Sequence, residues 1–317
     1  MDITIKQQIA QAVKEFMDTH GIKQSDIARK SGVRQEYLTN ILKKDSDFTY
    51  DAGKNGTGFI PVRHFNKLAE FIGFQIQKQY WQLQPTEQTA NILATLKDAK
   101  EYGYTNVIIG ETGCGKSFTC KLFAKKNPID VFIITIGSSD NIGDMLDKVM
   151  DAINLRITSR TKSKKIREII KKLRYLKDTG HSPMIIFDEA EYMKQPALCS
   201  MKELYDNLVN HCSIILVGTD QLVRNIEVMK KRNKPGIPQL YRRIKFGIRQ
   251  LPSVDRSFAL FLQDIEDIKV RNFLTKVCEN YGELHDVLVP VLREADRLNE
   301  QLTIELIRKA LNLPESL

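Results

Sequence analysis

Long apolar runs, paired cysteines and a leader-like start are all missing from this 317-residue chain. No stretch approaches the roughly 20 consecutive apolar residues that cross a bilayer as a helix, so no membrane partner is expected. The five cysteines, Cys114, Cys120, Cys199, Cys212 and Cys278, contain no C-x-x-C pair and are odd in number. That argues against a zinc site or a disulfide framework, and reduced thiols suit the cytosol. The opening residues Met1-Asp2-Ile3-Thr4-Ile5-Lys6 lack the basic start, apolar run and small-residue cleavage site of a signal peptide. A cytoplasmic location is the expectation. Internal repeats and low-complexity tracts are absent too.

What is present is ordinary in bulk and uneven in place. Apolar residues make up 42% and charged residues 27%, as in soluble globular proteins, and the length allows two or three compact units. The charge is concentrated. From Arg156 to Lys177 there are ten basic residues and one acid, Glu168, an excess equal to the whole net charge of +9. From Arg224 to Arg249 there are nine basic residues and one acid, Glu227. The remainder is therefore net acidic, and such clustering points to a polyanionic partner.

Residues 1 to about 75 read as short helices, with a loop over 45–58 where Asp, Gly, Asn and Ser gather without periodicity. The Gln-rich stretch 76–86 reads as a linker. Strands and helices then alternate. Strands are expected at 106–109, 131–136, 184–187 and 213–217, and helices at 87–102, 117–126, 141–153, 166–176 and 197–210. This alternation argues for a parallel sheet covered on both faces. From about Pro252 the pattern is helical only. The expected organisation is an all-helical domain over 1–75, a linker over 76–86, an α/β core over 87–250 and a helical C-terminal subdomain over 251–317.

Three strand ends carry chemistry. Gly110-Glu111-Thr112-Gly113-Cys114-Gly115-Lys116-Ser117 fits G-x-x-x-x-G-K-S between a strand and a helix. Its glycines let backbone N–H groups converge on phosphate oxygens at a helix N-terminus. Lys116 would reach the β- and γ-phosphates of ATP, Ser117 would ligate Mg²⁺, and Phe118 follows within the binding segment. Met184-Ile185-Ile186-Phe187-Asp188-Glu189 is an apolar strand ending in two carboxylates about 70 residues later. Asp188 would hold the Mg²⁺ shell and Glu189 would polarise the attacking water. Ile214-Ile215-Leu216-Val217-Gly218 leads to Thr219, a candidate contact for the γ-phosphate or the water, with a capping role as the alternative.

These three elements in this order resemble the AAA+ ATPases. The resemblance covers about residues 86–315 and implies ATP hydrolysis, Mg²⁺ and an arginine supplied in trans by a neighbouring subunit. Gln239-Leu240-Tyr241-Arg242-Arg243-Ile244 looks like that finger region, with Arg243 favoured and Arg242 close behind. In Tyr281-Gly282-Glu283-Leu284-His285-Asp286, His285 stands where family members often carry a lid arginine.

In the N-terminal region, Ala28, Gly32 and Leu38 occupy the small, turn and apolar positions of a helix-turn-helix, supported by Ile27, Val33 and Ile41. The second helix would present Arg34, Gln35, Thr39 and Asn40 to DNA. Protein contact is the alternative use. The stretch Arg160-Thr161-Lys162-Ser163-Lys164-Lys165 reads as a basic loop able to follow a phosphate backbone, with Lys171 on the helix after it; an ordinary solvated loop is the alternative. A helix-turn-helix domain, then a short AAA+ core with Ile185-Ile186-Phe187-Asp188-Glu189-Ala190, then a helical lid, resembles the phage Mu B family of target-DNA activators. That resemblance implies an ATP-bound homo-oligomer forming a helical filament on double-stranded DNA. Such a filament would deliver target DNA to a transposase and disassemble on hydrolysis. Two other readings stand beside it, a helicase-loader or replication-initiator ATPase and an ATP-switched helix-turn-helix transcription regulator.

Overall fold

The computed structural model describes every residue except Asp2, 44–45, 54–55, 75–79, 158–160, 313 and 315–317. Arg160 and part of the expected linker therefore lie outside the described residues. The chain forms two compact units, Met1–Tyr80 and Trp81–Leu317.

In the first unit, Ile9, Val13, Ile27, Leu38, Ile41, Phe65 and Leu68 form a buried core. Around it lie α1 (Ile3–His20), α2 (Gln24–Ser31), α3 (Gln35–Ile41) and α4 (Val62–Phe71). Gly32 ends α2 in left-handed backbone (φ 67°), the conformation glycine adopts without a Cβ penalty. Ala28 is buried in α2, beside α3. The segment read from sequence as a loop contains a short hairpin instead. β1 (Thr49–Asp51) pairs antiparallel with β2 (Thr57–Phe59). Three-residue strands are too short to show an alternating pattern in sequence.

In the second unit, α5 (Glu87–Tyr102) precedes β3 (Thr105–Ile109), α6 (Lys116–Lys126), β4 (Val131–Thr135), α7 (Ile142–Ala152) and α8 (Lys162–Asp178). Then come β5 (Met184–Asp188), α9 (Gln195–Leu208), β6 (Ser213–Gly218), α10 (Asp220–Lys231), α11 (Ile237–Ile244) and β7 (Ile248–Gln250). The five strands are parallel in the order β4-β5-β6-β3-β7. Alternate residues face opposite ways, as the pleat requires. Val107, Ile109, Ile185, Phe187, Ile214 and Leu216 pack under α7 to α11. Ile108, Met184, Ile186, Ile215 and Val217 pack under α5, α6 and the C-terminal helices. Those helices are α12 (Ala259–Leu262), α13 (Ile268–Val277), α14 (Tyr281–Leu298) and α15 (Ile304–Leu311).

Residues 245–247 form a single 3-10 turn between α11 and β7. One start differs from expectation: α8 begins at Lys162, so Lys162, Lys164 and Lys165 are helical residues and not loop residues.

Candidate nucleotide-binding site

β3 leads directly into the glycine-rich loop, and α6 starts at Lys116. The loop turns through left-handed backbone at Gly113 (φ 71°) and Gly115 (φ 92°). Lys116 is only 9% exposed, and its Nζ donates to Gly110 O at 2.8 Å and Glu111 O at 2.7 Å. The loop's own carbonyls thus hold the ammonium inside the turn, and its third N–H points to the Cys114 sulfur at 3.8 Å, the weakest of the three acceptors and the one an incoming anion would replace. Burial pushes the Cys114 thiol up, against the opposing pull of Lys116. The sulfur stays neutral and sets no charge against phosphate. Cys120, one turn into α6, is pushed up to about 12 by burial and then by Asp188.

A cavity of about 350 Å³ opens beside this loop. Gly113 to Phe118 form one wall. The rest of its lining comes from Trp81, Leu83, Gln84, Thr86, Thr89, Phe261, Tyr281, Gly282 and His285. Trp81 stacks on Phe261 with ring centroids 4.6 Å apart, and His285 meets Trp81 edge-on at 5.2 Å. Residues 81–86, read from sequence as linker, therefore supply an aromatic and apolar wall. A large, flat apolar surface of this kind suits a planar base. The single tryptophan of the chain in an otherwise polar, Gln-rich stretch was the signal that composition offered.

The helical lid touches the loop directly. Gly282 N–H donates to Gly113 O at 3.1 Å. A Cβ added to Gly113 would stand 2.0 Å from the Asn280 Oδ1, so only glycine fits there. Asn280 caps α14, accepting from Glu283 N at 3.0 Å. Tyr281 joins the lid to α5, since its hydroxyl accepts from Asp255 N and hydrogen-bonds Gln88 Oε1, both at 3.3 Å.

The acids end β5, which β6 separates from β3. Asp188 is 3% exposed, and its carboxylate's one hydrogen bond among the described residues comes from Glu189 N at 3.1 Å. A carboxylate so desolvated and so thinly satisfied fits a cation. Glu189 is exposed and turns the chain through φ 56°. Among the described residues no group of three His, Cys, Asp or Glu side chains forms a closed metal site. Mg²⁺ would fit that arrangement, because it is held by one or two protein oxygens together with phosphates and water; Asp188 and Ser117 are the groups that could hold it. Thr219 follows β6, whose Gly218 O accepts from Gly110 N at 3.2 Å. Its hydroxyl donates to Glu191 Oε1 at 3.1 Å. Glu191 had no place in the sequence reading.

The two candidate finger arginines differ. Arg243 Nε binds Asp206 Oδ1 at 2.6 Å, its Nη1 donates to Gln239 O, and its guanidinium lies over Tyr205. Burial pushes the Asp206 carboxyl up, but hydrogen bonds from Lys202 and Arg243 outweigh it and hold the carboxyl below its usual range. Arg242 is exposed and has no ion pair or hydrogen bond with a described residue. Among the described residues, then, Arg243 is engaged within the chain and Arg242 is not.

The basic cluster is similarly divided. Lys165 is paired with Asp147 on α7, and Lys171 with Glu168 at 2.9 Å. Lys162 and Lys164 are exposed on the first turn of α8, a turn without an acid. In the first unit Arg34 and Gln35 are exposed, with Arg34 over the Tyr37 ring. The Thr39 hydroxyl is occupied internally, donating to Gln35 O and accepting from Gln24 Nε2. Asn40 is half-buried.

Residues 100–226 match the family described as an AAA domain. With the sheet order above, the second unit has the AAA+ P-loop fold. The chain is similar to the ORC2 protein of Aeropyrum pernix, solved as ADPNP–ADP complexes. Identity is 19%, coverage 71% of this chain and 66% of that one, a little under two thirds of its length, and the TM-score is 0.49. It is also similar to the RuvB Holliday junction branch migration motor of Thermotoga maritima, at 13% identity over 73% and 70% of the two chains and a TM-score of 0.42. Neither likeness bears on what this chain does. No curated protein matches it.

Proposed function

We propose that the protein is an ATP-hydrolysing, DNA-binding factor of transposition that assembles on duplex DNA in its ATP-bound form. It would capture target DNA with weak sequence preference, deliver it to a transposase, activate strand transfer and disassemble on hydrolysis. The carrying observation is the pair Lys162 and Lys164. They stand exposed on the acid-free first turn of α8, where the helix dipole is itself positive. Like charge gathered at that end costs stability in the isolated chain, and an anion such as a phosphate backbone relieves it.

The roles follow from position. Lys116 and the loop N–H groups would hold the phosphates of ATP, and Ser117 and Asp188 would hold Mg²⁺, whose charge would offset that of the phosphates. Glu189 orients the attacking water. Arg242, with no ion pair among the described residues, is the arginine that reaches a neighbour's nucleotide. Arg243 instead holds α11 against α9 through Asp206. ATP thus acts at a junction between copies, and its hydrolysis times their release. In the first unit, Arg34 and Gln35, at the start of α3, are the exposed positions that meet DNA.

A nuclease footprint on long duplex DNA tests this reading. Continuous protection that requires ATP supports it. One discrete palindromic footprint, independent of ATP, sinks it in favour of a transcription regulator.

A further inference from the structure

Thr219 opens α10, and threonine at that position ordinarily turns its oxygen back to accept from the helix N–H groups. Here its side chain makes no such cap. Its hydroxyl points instead to the Glu191 carboxylate, 3.1 Å away. Glu191 lies in the 3-10 turn Ala190–Tyr192, directly after the acids of β5. Its backbone carbonyl accepts from Asn225 Nδ2 at 3.5 Å. Its second oxygen, Oε2, is buried and has no hydrogen-bond partner among the described residues. That oxygen lies over Gly218, where an added Cβ would come within 2.5 Å of it. Three features therefore converge at the end of β6: a forgone helix cap, a carboxylate with one oxygen unsatisfied, and a glycine that leaves room for it. Gly218 O also binds Gly110 N, the first amide of the phosphate loop.

The consequence is one of proton counting. A hydroxyl has a single hydrogen and two lone pairs, and an ionised carboxylate only accepts. With its hydrogen committed to Glu191, Thr219 offers lone pairs alone. It can accept from a water but has no hydrogen to give a phosphate oxygen. We propose that Glu191 is a positioning residue that fixes the Thr219 hydroxyl as an acceptor for the attacking water and denies it the role of phosphate donor. The inference rests on the ATPase reading above. In hydrolysis the water oxygen bonds to the γ-phosphorus, and the bond to the β–γ bridging oxygen breaks with its electron pair left on ADP. One water hydrogen passes to Glu189 or to the released phosphate; Thr219 holds the other.

The test is steady-state ATP hydrolysis by the full chain with duplex DNA, read as separate kcat and KM, for Glu191→Leu, Thr219→Val, Thr219→Ser, Gly218→Ala and the double variant Glu191→Leu/Thr219→Val. Thr219→Val is expected to lower kcat roughly tenfold or more with KM unchanged, the scale on which a misplaced reactant costs rate. Thr219→Ser, which keeps the hydroxyl, restores most of it. Glu191→Leu, which has no acceptor, and Gly218→Ala, which pushes it aside, also lower kcat, and the double variant is no worse than Thr219→Val because the two residues act as one unit. A raised KM with unchanged kcat in Thr219→Val would mean that the hydroxyl donates to phosphate and would overturn the proposal. So would a Glu191→Leu variant that turns over like wild type. Were Thr219→Val not to fold, Glu191→Leu and Gly218→Ala still decide the matter. A wild-type protein no more active than Lys116→Ala refutes the ATPase reading itself, an outcome distinct from either of these.

Discussion

Gly113→Ala is the substitution for which the structure gives the fullest account. Gly113 has φ 71°, and left-handed backbone costs an alanine about 1–2 kcal/mol. The added methyl would stand 2.0 Å from the Asn280 Oδ1 and 2.4 Å from its Cγ. Asn280 must swing away, giving up its cap on α14, worth about 1 kcal/mol. The Gly282 N–H to Gly113 O bond, 3.1 Å long, is then strained or broken at about 1 kcal/mol. The total is about 3 kcal/mol, carried partly by the loop and partly by the lid. For a unit of this size that is a fall of about 6–12 °C in its unfolding temperature. Calorimetry of the full chain reads it as a shift in the transition of the second unit, Trp81–Leu317. The double variant Gly113→Ala/Asn280→Gly separates the two parts. Removing the Asn280 side chain relieves the overlap but not the backbone cost. Asn280→Gly should therefore be far less harmful when combined with Gly113→Ala than in the wild-type protein. Additive losses would refute the steric reasoning. So would a Gly113→Ala protein with unchanged stability and nucleotide affinity.

Other outcomes follow from the same geometry. ATP binding should change the emission of the single tryptophan, Trp81, which lines the cavity, and Lys116→Ala should abolish that change in a fluorescence titration. Arg242→Ala should leave the melting temperature unaltered while lowering ATP turnover at assembly concentrations by roughly a hundredfold or more, as removal of a trans arginine does. Arg243→Ala should instead destabilise the fold by about 1 kcal/mol or less, since the Asp206 pair is partly solvated. Replacing Lys162 and Lys164 by Ala should weaken DNA binding on every sequence and flatten the log–log salt slope by about 2, one for each phosphate no longer neutralised. Lys165→Ala should leave that slope unchanged, because Lys165 already faces Asp147.

The phosphate loop and the acidic strand end were legible because their chemistry needs fixed residues at fixed spacing, and the parallel sheet was legible from β-branched runs between helical periods. The start of α8 was not. Three lysines oppose the dipole of a helix N-terminus, so local chemistry reads Lys162 to Lys165 as loop, whereas Ile166 and Ile169 buried in the core hold the turn in place. The wall at Trp81 was hidden because its partners, Phe261 and His285, lie about 180 and 200 residues away in sequence. The sequence reading favoured Arg243 over Arg242 without access to what each one touches. Their difference is which side of α11 faces Asp206. Glu191 escaped notice for a similar reason, since only the folding of β6 beside β5 brings Thr219 to it.

Electron microscopy of the protein with long duplex DNA and a slowly hydrolysed ATP analogue tests the central claim most directly. The account predicts continuous helical filaments along the DNA with the analogue, and none with ADP or with Lys116→Ala. Isolated particles at single sites, or the same filaments without nucleotide, would contradict it.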